Sequence, residues 1–266
     1  MNSTVSGLDT AKMQRKRMSR LKVLRIYYLE AKYEFIRSLR NPGFGFPFLV
    51  MPVVLFLVFS ALGSPQKADP DLRLGLFSGM AILGIMGPAM FGFGAILAGE
   101  RQFKLLEFKR AIAMPAAAHL IGKFVCAMAY AAMVILVMIA VGLAMGRISL
   151  NATQAVMVGL VLWLGVLPFC AIGFFIGARA SAHVANGITT IVYMPQLYFS
   201  GLFFPLPAAI GWIALFMPPF YLNQLVLGVG GAKHIYIVGA WFHVLFLAVL
   251  TVGLTLLTVK KMTRHG

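Results

Sequence analysis

Beyond residue 43 the chain is a series of apolar stretches, each about twenty residues long, and none of them contains a carboxylate. The seven acids are Asp9, Glu30, Glu34, Asp69, Asp71, Glu100 and Glu107, and all of them fall in the polar segments between or before those stretches. A hydrocarbon layer roughly 30 Å thick needs about 20 apolar residues of helix. Only 11% of the 266 residues are charged and 61% are hydrophobic. A soluble domain carries about 25% charged residues and could not hide so much apolar surface. With a mean hydropathy of +0.89, the sequence reads as an all-α, polytopic membrane protein.

Six spans are expected, at about 44–63, 75–98, 122–145, 154–178, 184–203 and 238–258, together forming one transmembrane domain over 44–266. Residues 1–19 read as a polar, basic cytosolic tail. Residues 20–43 carry Leu21, Leu24, Tyr28, Ala31, Phe35 and Leu39 at three- and four-residue steps, closed by Asn41, Pro42 and Gly43. That is the pattern of an amphipathic helix lying in the headgroup plane. The stretch 203–227 is apolar but broken by Pro205, Pro207, Pro218 and Pro219. It is expected to form an external re-entrant helical hairpin between spans five and six, since such backbone must be buried in protein or line a cavity. The basic tail is too long and too charged for a cleavable signal.

Charge placement orients the spans. With the N-terminus inside, nineteen Lys and Arg face the cytoplasm and four (Lys67, Arg73, Arg147, Lys233) face outward. The bias follows the positive-inside rule. Both termini are therefore expected in the cytoplasm, and the net charge of +16 serves topology and headgroups, with no nucleic acid implied.

Several chemistries are disfavoured. Ion-coupled carriers usually bind the coupling ion on an intramembrane carboxylate, and membrane enzymes of the metal or acid/base type need paired carboxylates. Cys126 and Cys170 lie in apolar spans and read as packing residues, with no metal-binding pattern. His243 reads as a neutral imidazole bonded across helices. His119 and His183 suggest nothing specific, and Ser200 lacks the partners of a nucleophile. No G-x-x-x-x-G-K-[ST] loop is present: Gly122-Lys123 is followed by Phe124, and Gly230-Gly231-Ala232-Lys233 has the wrong spacing. Active transport would need energy from another polypeptide. Gly75/Gly79, Gly142/Gly146 and Gly173/Gly177 have the spacing of close helix contacts. Tyr193, Met194, Tyr198, Phe199, Phe203 and Phe204 are candidates to line an amphiphile path, although such residues are more often packing.

The charged island at 99–123, GERQFKLLEFKRAIAMPAAAHLIGK, is the long polar interruption between spans two and three. A helix from Glu100 to about Ala113 would bring Glu100, Lys104 and Glu107 within reach of one another, with Phe103 and Leu106 as an apolar anchor. The island thus reads as a docking surface.

The layout resembles the membrane subunit of type-2 ATP-binding-cassette (ABC) exporters. The resemblance rests on Arg40-Asn41-Pro42 before a proline-containing first span, and on Glu100-Arg101, Pro115 and Gly122-Lys123 around the island. It also rests on Ser200-Gly201-Leu202-Phe203-Phe204-Pro205 with Pro207, Trp212 and Pro218-Pro219-Phe220-Tyr221 before the last span. The sequence departs from the family pattern at Phe103-Lys104, where a glycine and a further acid often follow the Glu-Arg pair; here the acid reappears as Glu107.

The resemblance implies a dimer, either a homodimer or a pairing with a related permease, in a bacterial cytoplasmic (inner) membrane. Separate cytosolic ATPases would carry ATP and magnesium, and this chain would hold no cofactor or metal. A coupling loop at 99–121 would use Glu100, Arg101, Phe103, Lys104 and Glu107 to grip the ATPase. A hydrophobic or amphiphilic substrate of the drug, lipid or glycolipid class would then leave outward. The competing reading is an ATP-independent membrane scaffold or sensor-complex subunit binding lipid or peptide.

Overall fold

A computed structural model describes residues 20–40, 45–62, 69–103, 105, 116–203, 206–207, 209–232 and 239–264. Among these residues every regular element is a helix. Helix α1 is Arg20–Arg40, α2 is Gly45–Leu62, and α3 is Pro70–Phe91. Helix α3 continues through a π turn, Gly92–Ile96, into α4, Leu97–Gln102. Then come α5 (Ala116–Ala144), α6 (Ala152–Leu164), α7 (Val166–Gly177) and α8 (Ala182–Phe199). A 3-10 turn, Gly211–Phe216, precedes α9 (Pro218–Gly230), and α10 is Ala240–Arg264.

Four helical runs are long and apolar enough to cross a membrane: Pro70–Gln102, Ala118–Ala144, Ala152–Gly177 and Ala240–Lys261. Two of the six expected spans fall short of that measure. The first is apolar but shorter, Phe46–Leu62. The fifth, α8, is diluted by His183, Asn186, Thr189, Thr190 and Gln196. In the expected hairpin region the described residues form the 3-10 turn and α9.

Helix α3 is the central post. Asp69 caps it by accepting the Asp71 N–H at 3.1 Å, and Pro70 occupies its first turn. From Phe77 to Met90 every residue is buried, as expected of a helix that is apolar all round. Helices α2, α5, α7 and α9 surround it. Its ladder opens into the π turn just after Pro88, in the glycine-containing segment Gly92–Ile96; a proline and glycines weaken the α pattern at that place.

Helix α7 crosses this turn very closely. A Cβ at Gly173 would lie 2.6 Å from the Met90 carbonyl oxygen, and one at Gly177 would collide with the Phe93 carbonyl. This glycine pair is therefore a helix-packing contact. The other two pairs differ: Gly75 has open space around it, Gly79 meets the Leu202 backbone, and Gly146 ends α5 with a φ of +62°.

Helix α1 packs mainly along α5. Gly122 permits this, because a Cβ there would sit 2.9 Å from Glu30 Cγ and 3.4 Å from the Ala31 backbone nitrogen. The expected apolar stripe of α1 is not the face turned to α5. Leu24, Tyr28 and Leu39 are exposed, whereas Glu30 and Glu34 are partly buried. The helix turns Glu30 and Glu34 toward the bundle and leaves Leu24, Tyr28 and Leu39 exposed among basic residues.

Candidate functional site: a buried ionic knot at the base of the island

The last turn of α4 delivers Glu100 to a place where α1 and α5 meet. Glu100 is 5% exposed, His119 1% and Lys123 5%. Glu100 Oε1 accepts from Arg37 Nη1 at 2.8 Å and from Lys123 Nζ at 3.1 Å. Its Oε2 lies 2.9 Å from His119 Nε2 and 3.0 Å from Lys123 Nζ. His119 Nδ1 reaches Glu30 Oε1 at 2.9 Å, and Lys123 donates to Glu34 Oε1. Arg37 lies 3.9 Å from Glu34 as well.

Helix periodicity explains this convergence. Glu30 and Glu34 stand four residues apart on one face of α1, and His119 and Lys123 stand four apart on one face of α5. The pairs match in parallel, Glu30 with His119 and Glu34 with Lys123, and Glu100 from α4 completes the knot. Both imidazole nitrogens face carboxylate oxygens. A neutral imidazole can donate to only one of them, so the imidazolium satisfies both contacts. In that form three carboxylates are balanced by Lys123, Arg37 and His119. Removing buried charges from water is costly unless they are paired and hydrogen-bonded, and here they are. The Gly122-Lys123 motif now has a physical account: the glycine admits α1 and the lysine binds it.

The neighbouring residues tie the island's entrance to other helices. Arg101 Nη1 donates to the Gly177 carbonyl at the end of α7, at 2.7 Å. Gln102 Oε1 accepts the Ala182 N–H at the start of α8 at 3.2 Å, and its Nε2 lies 3.1 Å from His183 Nε2. Phe103, whose N–H bonds the Gly99 carbonyl at 3.0 Å, is 82% exposed.

Glu100 lies in the last turn of the long α3–α4 run, which ends at Gln102 with Phe103 as its cap; of the rest of the helix expected to reach Ala113, only Leu105, which is helical, lies within the described residues. Burial places Glu100 inside the bundle, and of the sequence-derived grip residues only Arg101 and Phe103 are exposed among the described ones. Lys104, Leu106, Glu107 and Pro115 lie outside the described residues. Glu30, Glu34, Arg37, His119 and Lys123 were not singled out as a site from the sequence. Their paired four-residue spacings were the available signal, in a chain with so few acids.

Beside the knot is a cavity of about 140 Å³, with Glu34, Arg37 and Lys123 on its polar wall and Phe93, Ile96 and Tyr130 on its apolar wall. Elsewhere, the proposed amphiphile path divides. Tyr193 is buried with its ring 5.5 Å from that of Phe91. Met194, Tyr198 and Phe199 are exposed, Phe203 is partly buried against the core, and Phe204 lies outside the described residues. His243 is buried with its ring 5.6 Å from that of Tyr221, and its Nδ1 meets no hydrogen-bond partner among the described residues. Ser200 is buried, Cys170 is buried and Cys126 half-buried, and both thiols are free.

Comparison with known proteins found a family model and a relative. The ABC-2 type transporter model matches residues 27–229, from α1 through α9 and including every member of the knot. A protein of Bacillus subtilis (strain 168) named "Putative transport permease YvfS" is 25% identical over 195 residues, which cover 72% of this chain and 80% of that protein. The chain belongs to the ABC-2 type transporter family.

Proposed function

We propose that this chain is the membrane permease subunit of an ABC exporter, driven by ATP hydrolysis with magnesium on a separate cytosolic ATPase. Its cargo is hydrophobic or amphiphilic, of the drug, lipid or glycolipid class, and moves outward. The knot is the observation that carries this reading. It joins α1, α4 and α5 at both borders of the island, so a force applied to the island moves all three helices together. Arg101 and Phe103 are the exposed contacts at the entrance, and Lys104 and Glu107 belong to the proposed grip. The charge bias supports an orientation with both termini and the island in the cytoplasm of a bacterium with a plasma or inner membrane. The exposed Leu24, Tyr28 and Leu39 of α1 suit the headgroup plane. Two copies, or this chain and a related permease, enclose the path.

The test begins with gentle solubilisation from the native membrane and identification of a copurifying ABC ATPase. The complex is then reconstituted and its ATPase activity measured with and without candidate amphiphiles. Glu100→Gln combined with Lys123→Gln keeps the knot balanced in charge but loosens it. That variant should retain basal ATPase activity and lose at least tenfold in substrate stimulation. Absence of any ATPase from the purified chain, or full stimulation in the double variant, would count against the exporter reading.

A further inference from the structure

At the other end of the long α3–α4 run lies a second, polar cavity. Arg73 is 27 residues before Glu100 on that continuous helix, which places it about 40 Å away at ~1.5 Å per residue. The cavity measures about 180 Å³. Arg73 and Asp71 come from the first turn of α3, Arg147 from the α5–α6 loop and Gln154 from the first turn of α6, while Gly231 ends α9.

Two guanidinium groups therefore share one small space. The Nε atoms of Arg73 and Arg147 are both buried and have no hydrogen-bond partner among the described residues. Arg147 Nη1 donates to the Ser60 carbonyl at 3.0 Å, which fixes the side chain to the end of α2. Gln154 is held by the Asn151 cap and by the Gly230 carbonyl. The shortage of counter-charge is a property of the whole sequence. Between residue 41 and residue 99 the chain has two acids, Asp69 and Asp71, and it has none after Glu107. Asp69 caps α3, and Asp71, which has an interaction of its own, is the carboxylate on the cavity wall. A buried N–H without an acceptor is costly even where the rest of the side chain is partly exposed. Among the described residues Asp71 is the sole carboxylate lining the cavity, which leaves room for an anion from outside the chain.

We propose that this cavity binds a phosphate group. Arginine presents a planar fork suited to bidentate phosphate recognition, and the small polar space with Leu74 and Ile148 in its wall suits a phosphate carried at a membrane surface. A lipid headgroup phosphodiester and a soluble phosphate present the same chemistry to the two arginines.

The full-length solubilised chain is titrated with dihexanoyl-phosphatidylglycerol and, separately, with inorganic phosphate, following thermal unfolding. A saturable rise in Tm with the lipid, weakened at least tenfold in apparent affinity by Arg73→Gln with Arg147→Gln, supports a lipid headgroup as occupant. The same pattern with inorganic phosphate alone supports a soluble one. If the glutamine pair does not fold, Arg73→Lys with Arg147→Lys keeps the charges and removes the forks, and is expected to show the same weakening. Asp71→Asn removes the competing carboxylate and should tighten binding several-fold, a gain that a purely structural cluster would not show. No saturable rise with either probe, or equal affinity in the wild type and the arginine variants, overturns the proposal.

Discussion

Glu100→Gln is the substitution that most directly tests whether the knot holds the bundle together. Glutamine keeps the shape of the side chain and removes its charge. Arg37 has a side chain 58% exposed, so its bond to Glu100 is screened and is set aside in this reckoning. The bonds to His119 and Lys123 remain, and all three of these groups are at least nine-tenths buried. Breaking a buried ion pair from one side costs about 3–5 kcal/mol. Glu30 and Glu34 stay in place to compensate His119 and Lys123, which favours the lower end, about 3 kcal/mol. For a chain of this size each kcal/mol shifts Tm by about 2–4 °C, so a fall of about 6–12 °C is expected. Thermal unfolding of the solubilised protein, followed by tryptophan fluorescence, gives the measurement. Adding Lys123→Gln restores charge balance, so the double variant should be no less stable than Glu100→Gln alone, with a coupling of about 1–3 kcal/mol. A Tm within about 2 °C of wild type for Glu100→Gln, or strictly additive losses in the double variant, would refute the reasoning.

Three further outcomes are expected. Gly177→Ala pushes a methyl group into the Phe93 carbonyl, an overpacking cost of about 1–3 kcal/mol, and should lower Tm in the same assay. Phe103→Ala should leave Tm unchanged, because the ring is 82% exposed, yet reduce retention of the copurifying ATPase at least tenfold in a pull-down, as loss of an interface anchor of about 2 kcal/mol would. Tyr221→Phe deletes the 2.7 Å bond to the Leu215 carbonyl while sparing the ring stacked on Phe246 at 4.0 Å. It should cost about 1 kcal/mol, seen as a small fall in Tm with an unchanged cooperative transition.

The parts of this molecule that were legible in the sequence are those set by one residue's own chemistry. Apolar runs without carboxylates become buried or membrane-length helices whatever lies beside them, and α3 and α5 follow from that alone. Pro218 and Pro219 at the start of α9 and Gly231 at its end act in the same local way, although from the sequence this region reads only as a proline-broken hairpin. The knot was not legible by such rules, because Glu30 and His119 are 89 residues apart and nothing local says that α1 lies along α5. The island's Glu100-Arg101 pair illustrates the difference. Read locally, two charges after an apolar run are a surface for a partner. In the structure the helix runs on to Gln102 before ending, and that final turn carries Glu100 inward while Arg101 is drawn back to the end of α7. The scarcity of acids held the missing information. A chain with seven carboxylates that places two of them four residues apart on an otherwise basic helix needs buried cations to receive them, and His119 and Lys123 offer the same spacing. The same scarcity leaves Arg73 and Arg147 lining one cavity with a single carboxylate on its wall. One feature of the composition thus bears on both polar centres: three carboxylates bind helices together in the knot, and at the other cavity two arginines with one carboxylate on the wall are left for an anion from outside.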